Sequence, residues 1–546
     1  MRLYTIKIPK IMDDKAKTMD RRKFLGGAAV TAAGLTIIPQ KNIAGSSKNA
    51  IPLFNVLDYG IAGDGAIIST KPLQALIDKT SQDGGGILFF PPGEFITGTF
   101  QIKSNVEIHV SAGATIWGSR NREDYHHGCM VYAEDARNIS ITGMGTINGN
   151  GKAFWGQFMN KKISEEEMRQ KMWRPGNMMQ FVRCNKMLIE DVTIANSPAW
   201  TIRPIDCENV VIRGISILNG VYGDDGPNTD GINPDGCSKV RISDCYLECG
   251  DDCIVLKITE LSKTKVCRDI VVTNCVMQTT ETGLKIGTET HGEFRNITFS
   301  NCTVHDSGGG FGLLIRDGGL IDGLTVTNIT VDCNKIKNGQ GIFIWSHRRT
   351  DTTPYGMIKN VLISDMTITG GGAVFIQGVD EKHIKGLTLS NIRINVTGGR
   401  NTKNHDDPPY PFTVFGHRVS PYDIYCRYVD DLKLRNIQII WPESEDAKLG
   451  SALRCRDIND LEIDGFVGRQ SLLSDEAAIV LRNVNGVYVK NCKAPDGTGT
   501  VLHLDEGTKD VTVMANEFSK AKKLYTLGVG VDTKEIFESG NRLPEI

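Results

Sequence analysis

Short runs of alternating apolar and polar residues recur along most of the chain, and most open on an Asn, Asp or Lys followed by Val, Ile or Leu. Alternation with a period of two is typical of a β-strand with one buried face. Successive runs are mostly roughly 23 to 30 residues apart, whereas a propeller blade needs about 40 or more. This repeat predicts a stacked coil of parallel β-strands. Representative runs lie at residues 138–141, 209–212, 239–242, 269–272, 296–299, 360–363, 432–434 and 511–513.

One stretch near the start has a different spacing. Within residues 69–80, Leu73, Leu76 and Ile77 are three or four positions apart, which places them on one face of an α-helix. Three glycines at residues 84–86 end the stretch. The sequence therefore predicts an all-β fold with a short N-terminal capping helix.

The composition is that of a globular protein rich in turns, with 59 Gly among 546 residues and a formal net charge of -2. Such a balanced charge does not favour general nucleic-acid binding, and we expect no nucleic-acid partner. We expect residues 49–546 to form one β-helix domain and the protein to be a monomer. The two longest insertions, residues 151–174 and 400–422, are candidate walls of a groove. Their aromatic and histidine residues include Trp155, Trp173, His405, Tyr410, His417 and Tyr422.

The 14 cysteines have a repeated placement. Cys245, Cys275 and Cys302 follow Ser-Asp, Thr-Asn and Ser-Asn at equivalent points of the repeat. We interpret them as an internal ladder of small apolar thiols rather than disulfides or metal ligands. No Cys-x-x-Cys pair and no His-Glu-x-x-His motif occurs, so we expect no metal site and no cofactor.

The N-terminus has the layout of an export signal. Residues 21–25 read Arg-Arg-Lys-Phe-Leu and precede a weakly apolar run at residues 26–38, as in a twin-arginine signal. A short membrane anchor is the alternative, although the run is too short to span a bilayer comfortably. We expect residues 1–48 to be signal and linker, and the mature protein to be periplasmic or secreted without a membrane span.

The acidic residues that stand out lie between residues 228 and 257. Asp230 ends an Asn-Thr-Asp triplet, and Asp251 and Asp252 follow Gly250, with one strand-like run at residues 240–247 between the two groups. In a stack of coils the two acidic loops lie on consecutive coils, about 4.8 Å apart. The three carboxylates are therefore predicted to share one patch.

Clustered carboxylates repel one another, and the pKa of one of them tends to rise. A glycosidase needs this arrangement, because one carboxyl group must stay protonated as the acid while another stays charged as the base. Successive strand residues point to opposite faces, so Asp251 and Asp252 must lie in a turn to face one groove, and Gly250 permits a turn. The alternative is an acidic turn or a calcium loop.

These motifs, at this spacing, resemble those of glycoside hydrolase family 28, the polygalacturonase family of right-handed parallel β-helices. The resemblance covers most of the chain, from about Phe54 to about Phe466. Its early part follows the family's opening, and its later part resembles the two catalytic motifs of the family. The matching segments are Gly-Asp-Gly at 63–65, Gly-Gly at 85–86, Pro-Pro-Gly at 91–93, Ser-Asn-Val at 104–106, Asn-Thr-Asp-Gly at 228–231, Pro-Asp at 234–235 and Gly-Asp-Asp-Cys at 250–253.

The resemblance implies hydrolysis with inversion. Asp251 would protonate the leaving oxygen, and Asp252 with Asp230 would activate a water on the opposite face, with acid and base roughly 6.5 to 9.5 Å apart. Asn228 would support the first carboxylate or touch the substrate. Lys257 could meet a sugar carboxylate or only offset the local negative charge.

Two positions depart from the family pattern. Glu281 stands where the family has the His of Gly-His-Gly, and the family's Arg-Ile-Lys falls on residues 314–316, of which only Arg316 is a cation. Glu281 is expected either to bind neutral sugar hydroxyls or to pair with Lys285. Arg316 suits a carboxylate through two parallel hydrogen bonds. The predicted substrate-binding residues are therefore Asn228, Lys257, Glu281 and Arg316.

The function expected from the resemblance is an exported, inverting glycosidase that acts on a pectic, galacturonate-containing glycan. The long insertions could close one end of the groove, which favours exo action. A rhamnogalacturonan hydrolase or an α-rhamnosidase-like enzyme is the close alternative, given the two departures. A polysaccharide lyase and a non-catalytic glycan-binding β-helix are further alternatives, and the three clustered acids favour neither.

Overall fold

Parallel β-strands wind around a common axis, as described in a computed structural model of residues 51–155, 173–221, 226–335, 339–370, 374–397, 422–442, 445 and 449–543. Each coil contributes strands to three long ladders, and strands from successive coils pair in parallel. The predicted right-handed parallel β-helix is confirmed. None of the helices in these residues is long and apolar enough to cross a membrane. His405, Tyr410, His417 and the expected signal at residues 1–48 lie outside them.

Ladder A begins as a four-stranded sheet, and isolated bridges from Ile202 to Ile232 and from Ile232 to Ile254 connect it to the strands that follow. Ladder A comprises Phe100–Gln101, Val131–Glu134, Asn177–Val182, Trp200–Ile205, Ile254–Ile258, Thr282–Thr290, Gly309–Ile315, Gln340–Ser346, Val374–Gln377, the first parts of Ile424–Ile440, Leu453–Asp464 and Ile479–Lys490, then Thr500–Asp505 and Lys523–Leu527.

Ladder B is the longest, and its apolar residues point inward in register. It comprises Leu53–Asn55, Gly86–Phe90, Val106–Val110, Arg137–Thr142, Asn185–Glu190, Glu208–Arg213, Ser238–Ser243, Val266–Thr273, the first parts of Glu293–Val304, Leu320–Asp332, Met357–Gly370 and Ile384–Val396, the later parts of the three long strands shared with ladder A, and Lys509–Met514 and Ile536–Ser539.

Ladder C is the shortest of the three in each coil. It comprises Asp64–Ile68, Gly93–Thr97, Ala114–Gly118, Thr146–Asn148, Thr193–Ala195, Ser216–Leu218, Tyr246–Cys249, Val276–Thr279 and the later parts of the long strands from Glu293 onward. Single bridges from Gln438 through Val467, Lys493 and Glu517 to Arg542 continue it.

Asn and Asp residues also occupy the corner between ladders B and C. Asn274, Asn301, Asn328 and Asn391 all have positive φ, a left-handed conformation that Asn tolerates better than most residues. Their side chains bond from coil to coil, for example from Asn328 Nδ2 to Asn301 Oδ1 at 2.8 Å. The same residue type thus turns the chain and connects neighbouring coils.

Apolar side chains fill the interior of the coil. All 14 cysteines are free and buried. The Sγ atoms of Cys245, Cys275 and Cys302 each lie 3.1 to 3.3 Å from the carbonyl oxygen two residues earlier. This identical geometry on three successive coils agrees with the interpretation of a thiol ladder.

The helix Thr70–Gln82 covers the first strand of ladder A. Leu73, Leu76 and Ile77 are buried as predicted, together with Thr80. The side-chain amide of Gln74 accepts from the backbone N of Gln101 at 2.7 Å and donates to its carbonyl oxygen at 3.1 Å. Gln74 of the helix therefore takes up backbone hydrogen-bonding groups of an edge strand, which would otherwise be open to pairing with another chain. The other helical segments among the described residues are short: Val56–Tyr59, Arg122–Asp124, Lys152–Trp155 and Thr533–Glu535.

Candidate active site

Three consecutive coils of ladder A bring the acidic loops together. The backbone N of Thr201 donates to Asp230 O at 2.8 Å, Gly231 N donates to Asp252 O at 2.9 Å, and Cys253 N donates to Thr282 O at 3.0 Å. The loop that carries Asp230 therefore stacks directly on the turn that carries Asp252. Consecutive parallel coils are about 4.8 Å apart, which is why residues distant in sequence are adjacent here.

Asp230, Asp251 and Asp252 each place one carboxylate oxygen within 4.8 Å of the other two. Asp230 and Asp252 are each 2% exposed, and Asp251 is half-buried. The backbone N of Asp252 donates to Asp251 Oδ1 at 2.8 Å, and this bond orients the Asp251 side chain. The two neighbouring aspartates lie in a turn, and both face the same cavity.

Two lysines lie among these acids. Lys285 Nζ donates to Asp252 Oδ2 at 2.6 Å, and Lys257 Nζ lies 3.5 Å from Asp230 Oδ2. Three clustered carboxylates could also hold a hard cation such as Ca²⁺ or Mg²⁺. Here the ammonium groups of Lys285 and Lys257 already provide positive charge next to Asp252 and Asp230, at the place where such a cation would bind.

The environment changes the protonation of the acids. Burial and the nearby Asp251 raise the pKa of Asp230 to about 8, against the influence of Lys257. Burial and Asp252 also raise the pKa of Asp251 above its ordinary value. Burial alone would lower the pKa of Lys285, but Asp252 and Asp251 raise it instead. The cluster therefore combines carboxyl groups that resist ionisation with a permanently charged ammonium group.

The acids line a cavity of about 220 Å³ that extends across ladder A. Its polar wall includes Asn228, Glu281, Thr282, Thr288, Glu289 and Gln340, together with the three aspartates and two lysines. Its apolar wall consists of Trp200, Phe311, Leu314, Phe343 and Trp345. Apolar walls with a few convergent polar groups are typical of small-molecule sites.

The sequence model of the family described as glycosyl hydrolases family 28 matches residues 89–411, more than half of the chain. The chain belongs to glycosyl hydrolase family 28. It is therefore a glycoside hydrolase, and the resemblance drawn from the motifs is confirmed.

Relatives of this family 28 hydrolase include a probable polygalacturonase from Vitis vinifera, 25% identical over 377 residues that cover 63% of this chain and 74% of the relative. An exopolygalacturonase from Zea mays is 28% identical over 208 residues, or 37% of this chain and 48% of the relative. The chain thus spans about half the length of the maize relative.

Two solved structures are similar as well. A hyperthermoactive exopolygalacturonase from Thermotoga maritima has 26% identity and a TM-score of 0.51, with 64% of this chain and 88% of that chain covered. A family 28 exopolygalacturonase from Yersinia enterocolitica has a TM-score of 0.57 at 16% identity, with 76% and 79% covered. Because the identity to the Yersinia enterocolitica enzyme is only 16%, this second similarity supports the fold but not the function.

Asn228 and Glu281, two of the predicted substrate-binding residues, line the cavity of the family 28 hydrolase. Asn228 has a φ of 57°; its Nδ2 lies 3.4 Å from Asp251 Oδ2, and its Oδ1 accepts from Arg174 at 2.8 Å. Burial, Asp251 and Asp252 raise the pKa of Glu281 to about 7. Lys285, one of the two alternatives considered as a contact of Glu281, pairs with Asp252.

Lys257 also lines the cavity, but Arg316 is not among its lining residues. The backbone N of Arg316 donates to Thr290 Oγ1 at 2.9 Å, and its charge helps to lower the pKa of His347 after the larger effect of burial. Asp235, part of the first motif, holds Arg203 at 2.8 Å and belongs to the framework beside the site.

Trp155, Trp173 and Tyr422, expected as groove walls, are not in the cavity lining. Trp155 Nε1 donates to Ser197 O at 3.0 Å, Trp173 packs against Tyr125, and Tyr422 is fully buried. The apolar wall comes from the ladder strands themselves, where Gly312 pairs with Phe343 and Leu314 with Trp345. Aligning successive repeats of the sequence could have identified these positions. Gly312 and Phe343 are in register with Lys285, and Leu314 and Trp345 lie two positions further along the same face.

Glu289 was not singled out in the sequence, although it faces the cavity. The pairing of Thr282–Thr290 with Ile254–Ile258 shifts register after Leu256, so residues 287–289 form a bulge opposite Lys257. Glu289 Oε2 lies 3.0 Å from Lys257 Nζ. Burial would raise the pKa of Glu289, but Lys257 and neighbouring hydrogen bonds lower it to about 2. The alternation pattern contains no signal for a bulge of this kind.

Proposed function

We propose that this family 28 hydrolase cleaves a pectic, galacturonate-containing polysaccharide or oligosaccharide with inversion at the anomeric carbon. The observation that carries the proposal is the group of three carboxylates within 4.8 Å of one another at the wall of a cavity. The names of the polygalacturonases from Vitis vinifera and Zea mays support the pectic substrate.

Asp251 is the proposed general acid. It is half-buried at the cavity wall, and its raised pKa favours the protonated form that must give a proton to the leaving oxygen. Asp252, paired with Lys285 at 2.6 Å, is the proposed base that takes the proton of the water. Asp230, whose pKa is raised to about 8, is proposed to take part in activating the water by holding it in place through a hydrogen bond. Burial of these two groups excludes bulk solvent from the water-activating side.

The separation of the carboxylates is shorter than the roughly 6.5 to 9.5 Å expected for acid and base groups in an inverting enzyme. One oxygen of each group lies within 4.8 Å of the others. A water that donates one hydrogen to each of two carboxylates, at about 2.7–2.8 Å from each, can bridge oxygens roughly 4 to 5 Å apart. Asp230 and Asp252 can therefore hold one water between them, and inversion is compatible with this spacing.

Among the substrate-binding residues, Asn228 and Glu281 are proposed to contact the sugar in the cavity, and Lys257 to lie beneath it. Arg316, outside the cavity lining, is proposed to bind a uronate ring further along the substrate. If so, Arg316→Ala weakens kcat/KM for acidic oligosaccharides by about tenfold while sparing neutral ones. Equal loss on both substrates would remove that role.

Exo action and export complete the proposal. The cavity of about 220 Å³ is smaller than the roughly 300–1,000 Å³ of drug-sized ligand sites, and this favours a short substrate segment.

The twin-arginine pattern at residues 21–25 supports export of the domain at residues 49–546. A fusion of residues 1–48 to a reporter, followed by cell fractionation, tests export directly; a reporter that stays in the cytoplasm contradicts it.

The test is a product profile with purified protein on pectic polymers and oligosaccharides, without added metal. New reducing ends are expected, with monosaccharide release from the start if action is exo. Asp251→Asn is expected to lower kcat by at least about 1,000-fold while substrate binding persists. The control is Asp244→Asn at an exposed corner, which keeps full activity.

Three readouts separate the alternatives. Proton NMR of the first-formed product identifies its anomer, and a retained configuration overturns the assignment of inversion. Unsaturated products, seen by their ultraviolet absorbance, would indicate a lyase. Binding without any new reducing ends would indicate a non-catalytic glycan-binding protein.

A further inference from the structure

The cavity wall carries an excess of acidic groups. Five carboxyl groups and two ammonium groups line it, and no arginine is among the lining residues that the structure describes. The carboxyl groups belong to Asp230, Asp251, Asp252, Glu281 and Glu289, and the ammonium groups to Lys257 and Lys285. A uronate ring placed here would bring its negative charge among these carboxyl groups, and each of them that is ionised would repel it.

The ammonium group of Lys257 already interacts with groups of the protein. It is 5% exposed, and its Nζ lies 3.0 Å from Glu289, 3.5 Å from Asp230 and 4.3 Å from the ring centre of Trp200. Glu289 is itself backed by Arg349, 3.5 Å away, which holds Asp317 with two bonds of 2.6 and 2.9 Å. Glu289 therefore keeps Lys257 on the protein side of the cavity.

Lys285 forms an ion pair with the protein as well, because its Nζ lies 2.6 Å from Asp252. The nearby guanidinium of Arg174 donates to the carbonyl oxygens of Pro198 and Pro227 and to Asn228 Oδ1. It holds the loop before Asp230 rather than facing the cavity. Both lining cations thus neutralise protein carboxylates, and a substrate carboxylate would have to displace one of them.

We propose that the ring held in this cavity is a neutral sugar, and that Glu281 and Glu289 determine this specificity. Glu281 presents its carboxyl group to a sugar hydroxyl, and Glu289 is a positioning residue that acts through Lys257. The cleaved bond then joins a neutral ring to its neighbour, as in a pectic glycan in which neutral and uronate rings alternate. This inference rests on the proposed glycosidase function and narrows its substrate.

The apolar wall agrees with a neutral ring. Trp200 and Phe343, which are partly exposed, offer surface that packs against the C–H face of an uncharged sugar. A carboxylate at the same place would lose hydration without gaining a cation. Hydroxyl groups can bond to Glu281 and Asn228 instead.

The first arm compares two oligosaccharides of equal length, one made only of galacturonate and one that alternates neutral and galacturonate rings. The alternating oligosaccharide is expected to have a kcat/KM at least about 100-fold higher, with cleavage next to the neutral ring seen by mass spectrometry. Equal or faster cleavage of the pure galacturonate oligomer overturns the inference while leaving the glycosidase function in place.

The second arm measures binding and does not depend on turnover. Galactose and galacturonate differ only at C6, and ligand-detected NMR compares them, together with rhamnose and xylose, on the wild-type protein. Tighter binding of a neutral sugar supports the inference. Tighter binding of galacturonate, or no binding of any neutral sugar, overturns it. Failure to hydrolyse either oligosaccharide contradicts the proposed function, and this arm still decides the inference.

Variants assign the specificity to the two residues. Glu281→Gln and Glu289→Gln are each expected to raise the affinity for galacturonate relative to galactose about tenfold, because each removes one negative charge or releases Lys257. Glu289→Asp should largely restore the original ratio. The control Glu190→Gln, at a residue that pairs with Arg213 away from the cavity, leaves the ratio unchanged. An unchanged ratio in both test variants overturns the assignment.

Discussion

Asp230 is a buried carboxyl group with a strongly raised pKa. It is 2% exposed, accepts from Asn233 Nδ2 at 2.9 Å and lies near Lys257, yet burial and Asp251 still raise its pKa to about 8. A carboxyl group held under such conditions opposes folding whenever it must ionise. An ionised Asp230 therefore lowers the free energy of unfolding, and we attribute its presence to a chemical role.

Asp230→Asn is expected to stabilise the protein at pH 8. A carboxyl group whose pKa is higher when folded contributes stability below its unfolded value near 3.8, and that contribution is lost as pH rises toward about 8. The neutral amide avoids the loss, so a gain of about 1–2 kcal/mol is expected at pH 8 and little at pH 4. Thermal unfolding at the two pH values measures the difference.

Asp244→Asn is the matched control for this effect. Asp244 is exposed, and hydrogen bonds from Ser243 and Asn274 lower its pKa, so its replacement brings no gain at pH 8. An Asp230→Asn protein that is less stable than wild type at pH 8 would show that the ionised carboxylate is a net stabilising group.

At the scale of single elements, the bulge in Thr282–Thr290 decides what faces Lys257. Ile254–Ile258 pairs Leu256 with Ile286 but Ile258 with Thr290, so two extra residues are accommodated in one strand. Gly287 enters the bulge with a φ of 104°. Its missing side chain allows the close approach of Leu314 O, which would lie 2.0 Å from an added Cβ.

Gly287→Ala is expected to lower the free energy of unfolding by about 2–4 kcal/mol, because the Cβ clashes with backbone and the φ is strained. It should also reduce kcat, since Glu289 and Lys257 lose their positions. Denaturant unfolding and kinetics with an oligosaccharide measure both effects. Gly176→Ala, where an added Cβ has nothing within 4 Å, is the control; similar losses in both variants would contradict the steric explanation.

At the scale of the whole molecule, stability passes from coil to coil through nearest neighbours. Such a stack needs its ends protected, and the helix Thr70–Gln82 covers the first strand of ladder A. Leu76 is buried beneath this helix, and the adjacent Ala75 is exposed.

Leu76→Lys is expected to detach the helix and expose the edge strand Phe100–Gln101, whereas Ala75→Lys adds the same side chain on the outer face. The first variant should lose about 2–5 kcal/mol of stability and form oligomers or aggregates. Thermal unfolding and size-exclusion chromatography compare the two proteins. A monomeric Leu76→Lys protein of unchanged stability would show that the helix is not needed as a cap.

Much of the architecture could be predicted because its causes are local. Alternating apolar residues at 239–242 or 296–299 dictate a half-buried strand wherever they occur, and Asn at positive φ dictates the corner between strands. The proximity of Asp230 to Asp251 and Asp252 also followed from the repeat, since one coil separates them. The single run predicted between them consists of two strands, Ser238–Ser243 and Tyr246–Cys249. The length of a coil could be counted in the sequence itself.

Other parts of the site depended on contacts that a repeat count does not contain. Glu289 reaches Lys257 because two extra residues bulge from one strand, and Lys285 pairs with Asp252 rather than with Glu281. Trp200, Leu314 and Phe343 line the cavity in place of the expected Trp155 and Trp173. Leu314 and Phe343 lie on the same, outward face of two paired strands of ladder A.

The sequence by itself determined the solenoid, its capping helix, its thiol ladder and the three aspartates, because each depends on short-range periodicity or on the number of residues in one coil. The tertiary structure alone decided which cation pairs with which acid, where the bulge places Glu289 and which aromatic residues line the cavity. These features depend on distances between coils of a few ångströms, and burial there makes each charge sensitive to its nearest neighbours.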